Sequence, residues 1–172
     1  MSNKNNLEIE YKYLIRFPDL ELLETQSDCR KVEIVQTYLL SPKHVTARVR
    51  SWTEKGITHY FRTEKVRVSK QTSEEYEKEI SEADYLDLLK DADPARKPIH
   101  KTRYRIPYRD HMLEIDVYPF WRSQAVLEIE VSEENENVEI PDYLSVLRDV
   151  TGKKAYRNAA LARAIPEEDL RP

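Results

Sequence analysis

Residues 7–13 read Leu-Glu-Ile-Glu-Tyr-Lys-Tyr. Apolar and aromatic side chains alternate with charged ones, which is the period of a β-strand with one apolar face. The charged face carries Glu8, Glu10 and Lys12. The fold therefore depends on what this charged face contacts.

The same alternation recurs along most of the chain, so the protein is predicted to be rich in β-structure. The eight predicted strands are 7–15, 32–40, 44–52, 57–68, 73–80, 98–108, 111–118 and 125–132. Helical spacing or capping predicts four helices, at 18–26, 81–91, 141–150 and 155–165. The third of these opens at Pro141, and the second has Ser81 as its N-cap.

Charges are sorted by strand, with Arg48 and Arg50 on one face of the third strand and Glu128 and Glu130 on one face of the last. Like charges on one strand repel unless opposite charges lie between them. Closing the strands into a barrel would bring the acidic and basic faces together. The predicted fold class is therefore α+β, an eight-stranded antiparallel closed β-barrel forming a tunnel with a charged lumen and helices packed outside. An open sheet with a solvated charged face is the alternative.

The composition of the chain excludes several classes of binding site. The 172 residues contain 28 Lys and Arg against 32 Asp and Glu, a net charge of −4 that argues against a nucleic-acid surface. Two glycines are too few for a dinucleotide-binding loop, and the single Cys29 excludes thiolate zinc sites and intrachain disulfides. Because no apolar run reaches membrane-spanning length, we expect a cytoplasmic protein without a membrane partner. One domain is expected over 1–165, followed by a frayed tail over 166–172.

The ordered motifs resemble those of the CYTH superfamily, the triphosphate tunnel metalloenzymes. The resemblance begins at Glu8-Ile9-Glu10-Tyr11-Lys12, which is similar to the ExExK signature of that family. It continues in order through Arg48-Val49-Arg50, Thr63-Glu64-Lys65, Glu75-Tyr76-Glu77, Lys101-Thr102-Arg103, Ile115-Asp116-Val117, Glu128-Ile129-Glu130 and Lys154. Together these matches run through nearly the whole chain.

The resemblance implies a triphosphate substrate held by side chains and a divalent metal. The implied substrate-binding cations are Lys12, Arg48, Arg50, Lys65, Lys101, Arg103 and Lys154. The implied metal ligands for Mg²⁺ or Mn²⁺ are Glu8, Glu10, Glu128 and Glu130, with Asp116 and Glu77 as further ligands or as orienters of basic partners. Oxygen donors of this kind suit hard cations.

Gln36-Thr37-Tyr38-Leu39 resembles a motif of small bacterial members that act as inorganic triphosphatases. This implies that Tyr38 and Lys101 are catalytic, with Tyr38 acting as a base or as an orienter of Lys101 or the water. The chain departs from the family pattern at Ser73, where many members have arginine, so we expect that contact either to be lost or to be supplied by Lys70 or Arg67.

The expected reaction is metal-dependent hydrolysis of inorganic triphosphate to diphosphate and phosphate. The alternatives are a nucleoside or thiamine triphosphatase, with Trp52 stacking on the organic group, a class IV adenylate cyclase, and a noncatalytic polyphosphate-binding module. The expected partner is a small polyanionic substrate, and the sequence is compatible with a homodimer.

Overall fold

A computed structural model of the protein describes residues 6–168. Within that range lie nine strands and three α-helices. The strands are β1 (Leu7–Arg16), β2 (Arg30–Leu39), β3 (Thr46–Glu54), β4 (Ile57–Arg67), β5 (Thr72–Ile80), β6 (Ile99–Tyr108), β7 (His111–Val117), β8 (Gln124–Val131) and β9 (Val146–Asp149). The helices are α1 (Leu20–Glu24), α2 (Glu82–Leu88) and α3 (Asn158–Leu161).

Eight strands close into an antiparallel barrel, which confirms the predicted fold class. Neighbouring strands follow the order β5-β4-β3-β2-β6-β7-β8-β1, and pairing of β5 with β1 completes the ring. At this junction Glu8 lies opposite Ser73. On the other side of β1, Glu10 lies opposite Glu130 and Lys12 opposite Glu128. The charged faces therefore meet inside the barrel, because residues paired across antiparallel strands point to the same side.

The helix predicted over 141–150 is wrong, because this segment forms a turn and then β9. Strand β5 pairs with only the first three residues of β1, and β9 pairs with the same edge further along, at Tyr13–Ile15. The backbone groups on that edge require hydrogen-bond partners, and this requirement outweighs the helical spacing of the side chains. The helix predicted over 155–165 is reduced to a 3₁₀ turn at Lys154–Tyr156 and the single turn of α3.

The outward strand faces are covered in two places. Val49 lies under α2, with Tyr85 and Leu88 packed nearby. Ser81 caps α2 as predicted, since its hydroxyl oxygen accepts a hydrogen bond from the Asp84 amide. A larger cluster around Leu113 and Ile129 is covered by α1 and by non-helical residues of segment 138–144, so helices supply only part of the cover.

Leu7, the first residue of β1, is only partly covered. It is one of the exposed large apolar side chains, at 39% of its full surface.

One end of the barrel interior is apolar. Leu14, Tyr38 and Val126 share strand faces with the charged lumen residues, and they pack with Tyr118 and Trp121. Further contacts come from Leu161 and Ala162, in and just after α3. This inner plug, as we call the cluster, confines the charged part of the lumen to the rest of the barrel.

The start of the expected tail is hydrogen-bonded to the barrel. Trp121 Nε1 donates to the Pro166 carbonyl at 3.1 Å, and the Ser123 amide donates to Glu168 Oε1 at 2.7 Å. Residues 169–172 lie outside the described range. No helix within residues 6–168 is long and apolar enough to span a membrane.

Candidate active site: a charged cavity in the barrel

The barrel encloses a cavity of about 830 Å³. Seven glutamates line it: Glu8, Glu10, Glu75, Glu77, Glu114, Glu128 and Glu130. Twelve basic residues line it as well: Lys12, Lys43, Arg48, Arg50, Lys65, Arg67, Arg96, Arg103, Arg105, Lys154, Arg157 and Arg163. An excess of fixed positive charge in a confined, partly dehydrated space favours a polyanionic ligand.

The four predicted metal-binding glutamates all line this cavity. Glu8 pairs with Lys65 at 2.5 Å, and Glu128 lies 3.6 Å from both Lys12 and Arg103. Burial alone would raise the pKa of Glu8, but the charge of Lys65 together with hydrogen bonds from Glu75 and Lys65 lowers that pKa to about 2. Burial opposes the charged form of Glu128 as well, but Lys12 and Arg103 hold the pKa of Glu128 well below its ordinary value. Both carboxylates are therefore charged near neutral pH.

Glu10 differs from these two because no ion pair or hydrogen bond to its side chain is found within residues 6–168. Burial, reinforced by the neighbouring charges of Glu128 and Glu8, raises the pKa of Glu10 to about 8. The pKa of Glu130 is raised as well, by burial and then by Glu8 and Glu114. A divalent cation would relieve the repulsion within this group.

The basic residues on β3 and β4 face the glutamates across the lumen. Arg50 donates to Glu77 Oε2 at 2.7 Å, and Thr63 donates to the same oxygen at 2.8 Å. The Nε atoms of Arg48 and Arg50 are buried without a hydrogen-bond partner. The orphan donors are available to phosphate oxygens, which guanidinium groups bind well.

Lys101 and Asp116 lie behind the cavity wall and do not line it. Lys101 Nζ donates to Asp116 Oδ2 at 2.8 Å, and Arg103 Nε donates to Asp116 Oδ1 at 2.7 Å. The Asp116 side chain is fully buried, so it orients Lys101 and Arg103 in this arrangement. Burial lowers the pKa of Lys101 to about 8.

Tyr38 lies at the border between the inner plug and the charged cavity. Its hydroxyl oxygen accepts a hydrogen bond from Gln36 Nε2 at 3.1 Å, and Arg48 lies directly opposite on β3. The Arg96 guanidinium stands 5.4 Å from the centre of the Tyr38 ring. Tyr38 lines the cavity beside Arg48 and Arg96, and no direct contact joins it to Lys101.

Sequence reasoning undervalued Glu75 and missed several cavity residues. Glu75 was not among the implied site residues, but it lines the cavity and lies 3.5 Å from Lys65. Arg105 Nε donates to Glu114 Oε2 at 3.0 Å. The alternation along their strands places both residues on charged faces, so their position in the lumen could be predicted. Arg157 lies outside the strands, where no alternation marks it.

Ser73, the departure from the family pattern, faces the cavity. Arg67 lies directly opposite Ser73 on β4 and also lines the cavity, whereas Lys70 does not. Of the two residues expected to replace the missing contact, Arg67 is therefore the one in position.

A family model for the CYTH domain matches residues 6–153. The chain belongs to the CYTH domain family. No curated protein sequence matched the chain.

Solved CYTH-like structures support the same conclusion. Two crystal structures of NE1496, one described as a hypothetical protein and one as an inorganic triphosphatase, are 30% and 29% identical to this chain, each with a TM-score of 0.56. The first match covers 92% of this chain and 99% of the other, and the second covers 93% and 97%. The PH1819 protein from Pyrococcus horikoshii has 22% identity and a TM-score of 0.60, over 74% of this chain and 80% of its own, and supports the fold alone.

Proposed function

We propose that this CYTH protein hydrolyses inorganic triphosphate to diphosphate and phosphate within the barrel. The observation that carries this proposal is the composition of the cavity, where twelve Lys and Arg residues surround seven glutamates. A compact, highly charged phosphate chain requires many cationic donors, and this arrangement supplies them from several strands. The likeness to the inorganic triphosphatase NE1496 supports the same substrate.

The acidic group suits a divalent metal by its chemistry. Glu8, Glu10, Glu128 and Glu130 offer only oxygen donors, as Mg²⁺ and Mn²⁺ prefer. Their donor atoms do not converge on one point, and no group of three metal-binding side chains forms within residues 6–168. Glu8 instead forms an ion pair with Lys65, so a metal ion bound by Glu8 would replace part of that interaction. When bound, the metal would neutralise phosphate charge and polarise the P–O bonds.

The side chains of the protein have separable roles in the proposed reaction. Arg48, Arg50 and Lys65 hold the phosphate chain, and Arg103 is held in place by two hydrogen bonds to Asp116. Tyr38 directs its hydroxyl toward a phosphate oxygen or the attacking water. Phosphoryl transfer needs positioning and charge stabilisation more than covalent chemistry, and this site offers both.

The contacts of Trp52 argue against an organic triphosphate. The guanidinium carbons of Arg50 and Arg105 lie 5.6 and 5.8 Å from its ring, and Phe61 contacts its edge. Because arginines already pack on the indole, a stacked base would have to displace them. Inorganic triphosphate is therefore favoured over nucleoside or thiamine triphosphates and over adenylate cyclase activity.

Phosphate release provides the test. Purified protein should release phosphate from tripolyphosphate with Mg²⁺ or Mn²⁺, and EDTA should abolish the activity. Hydrolysis of ATP and thiamine triphosphate should be slower under the same conditions. Binding of tripolyphosphate without any turnover would support a noncatalytic polyphosphate-binding module. Faster hydrolysis of ATP than of tripolyphosphate would support a nucleoside triphosphatase.

A further inference from the structure

The two ends of the cavity differ in how their charges are balanced. Near Trp52, each arginine has a carboxylate partner: Arg50 pairs with Glu77, and both Arg103 and Arg105 pair with Glu114. Near the inner plug, Asp93 pairs with Arg96 and Arg163, and it is the one carboxylate there that pairs with cavity arginines among the described residues. The second end is therefore unbalanced.

Arg67 and Arg157 are the central members of this unbalanced group. Arg67 Nη1 donates to the Lys70 carbonyl at 3.3 Å, and Arg157 Nη2 donates to the Gly152 carbonyl at 3.4 Å. The two anchoring segments touch each other, since a Cβ built on Gly152 would lie only 2.7 Å from the Lys70 carbonyl oxygen. Two separate loops thus bring the guanidinium groups together beside the cavity.

Neither arginine has an acidic partner within residues 6–168. Arg157 Nε is buried without a hydrogen bond, and each side chain donates to only one backbone carbonyl. Burial lowers the pKa of Arg157, and the like charge of Arg67 lowers it further. Both side chains line the main cavity and a narrow crevice that Glu10 and Lys12 also line. Two adjacent guanidinium groups without a counter-ion are costly unless an anion lies between them.

We propose that Arg67 and Arg157 form a phosphoryl-binding subsite beside Glu10. Arg157 lies outside the set of residues that the family motifs assign to triphosphate, and Arg67 stands opposite Ser73, the position at which many members have arginine. A tetrahedral oxyanion can accept hydrogen bonds from both planar guanidinium groups at once. The group bound there is either the fourth phosphate of a longer linear chain or a separate orthophosphate. The fourth-phosphate case rests on the proposed function, whereas orthophosphate binding does not.

The experiment compares Arg67→Gln and Arg157→Gln with Arg62→Gln. Arg62 lies on the same strand as Arg67, but it faces outward and pairs with Glu64. Isothermal titration with orthophosphate, in metal-free buffer, measures the separate anion. The ratio of kcat/KM for linear tetraphosphate to kcat/KM for tripolyphosphate measures the fourth phosphate.

Loss of a charged hydrogen bond should lower either the orthophosphate affinity or the tetraphosphate-to-tripolyphosphate ratio of kcat/KM by about tenfold or more. We expect this fall in both Arg67→Gln and Arg157→Gln, whereas Arg62→Gln should remain within about twofold of wild type. A fall in the kinetic ratio supports the longer chain, and a fall in orthophosphate affinity supports the separate anion. If neither quantity changes in either cavity variant, the subsite is refuted. If the wild-type protein hydrolyses neither polyphosphate, the proposed function fails, and the orthophosphate titration alone decides the subsite.

Discussion

At the scale of single residues, Glu10 is a carboxyl group whose surroundings disfavour its ionised form. Its carboxylate is held near Glu8 and Glu128 with no ion-pair partner among the described residues, and burial followed by these charges raises its pKa to about 8. The unfolded chain ionises this group near its ordinary pKa of about 4.5. The folded state thus retains a proton that the unfolded state releases, so Glu10 reduces stability increasingly as the pH rises from about 4.5 to about 8.

Glu10→Gln should therefore stabilise the metal-free protein at pH 8.5, by about 1–3 kcal/mol in a solvated lumen, and should leave it nearly unchanged at pH 4.5. Urea unfolding in EDTA at both pH values measures this. The same variant should lose most of its stabilisation by Mg²⁺. Glu64→Gln, on the outer face of β4, is the control. Lower stability of Glu10→Gln at pH 8.5 would contradict the interpretation.

Tyr38 allows a test of chemistry apart from binding. Tyr38→Phe keeps the ring within the inner plug and removes only the hydroxyl group. With tripolyphosphate we expect kcat to fall by ~10²-fold while KM changes little.

Tyr11→Phe is the matched control, since the Tyr11 hydroxyl donates to the Glu136 carbonyl at 2.8 Å outside the lumen. Steady-state kinetics of both variants decide the role of Tyr38. An unchanged kcat in Tyr38→Phe would assign this residue to packing.

At the scale of elements, the sequence predicted the barrel strands to within two residues, but it failed where tertiary pairing decided the structure. Alternation alone located the strands, because most strands have a polar or charged face toward the lumen and an apolar face on the outside of the barrel. The segment 141–150 has helical spacing, yet the free edge of β1 recruits it as β9. Arg157 follows no strand period, so its place beside Arg67 depends on the contact of Gly152 with Lys70 and could not be read from the chain.

That loop contact can be tested by Gly152→Ala. Gly152 has a φ of +73°, and an added Cβ would meet the backbone oxygen of Lys70, which a side-chain rotation cannot relieve. We expect a loss of about 1–3 kcal/mol in unfolding free energy, measured by urea titration.

Gly56→Ala separates the two causes of that loss. Gly56 has a φ of +78°, but nothing lies within 4 Å of its built Cβ. Its substitution should cost only the backbone strain, about 1 kcal/mol. Equal losses in the two variants would show that the contact between the loops contributes nothing.

At the scale of the whole molecule, the charge is divided between inside and outside. The chain carries a net charge of −4, yet its cavity is lined by twelve basic and seven acidic residues. The exterior must therefore be strongly acidic. Composition could not reveal this division, because it depends on which strand faces point inward, and only closure of the barrel fixes that. The charged motifs located most lumen residues, but the burial of Lys101 and Asp116 behind the wall needed the three-dimensional packing.

The lumen of the empty protein should then be destabilised by its own positive charge, and a bound polyanion should relieve that repulsion. Tripolyphosphate at about one hundred times its dissociation constant should stabilise the metal-free protein by about 2.7 kcal/mol and raise Tm by about 5–10 °C. Sodium sulfate at equal ionic strength should have a much smaller effect, since screening by a compact anion cannot bridge cations from several strands. Arg48→Gln combined with Arg50→Gln should remove most of the difference between the two salts. Scanning calorimetry measures all four conditions, and an equal rise of Tm in both salts would mean that the lumen does not bind the phosphate chain as a unit.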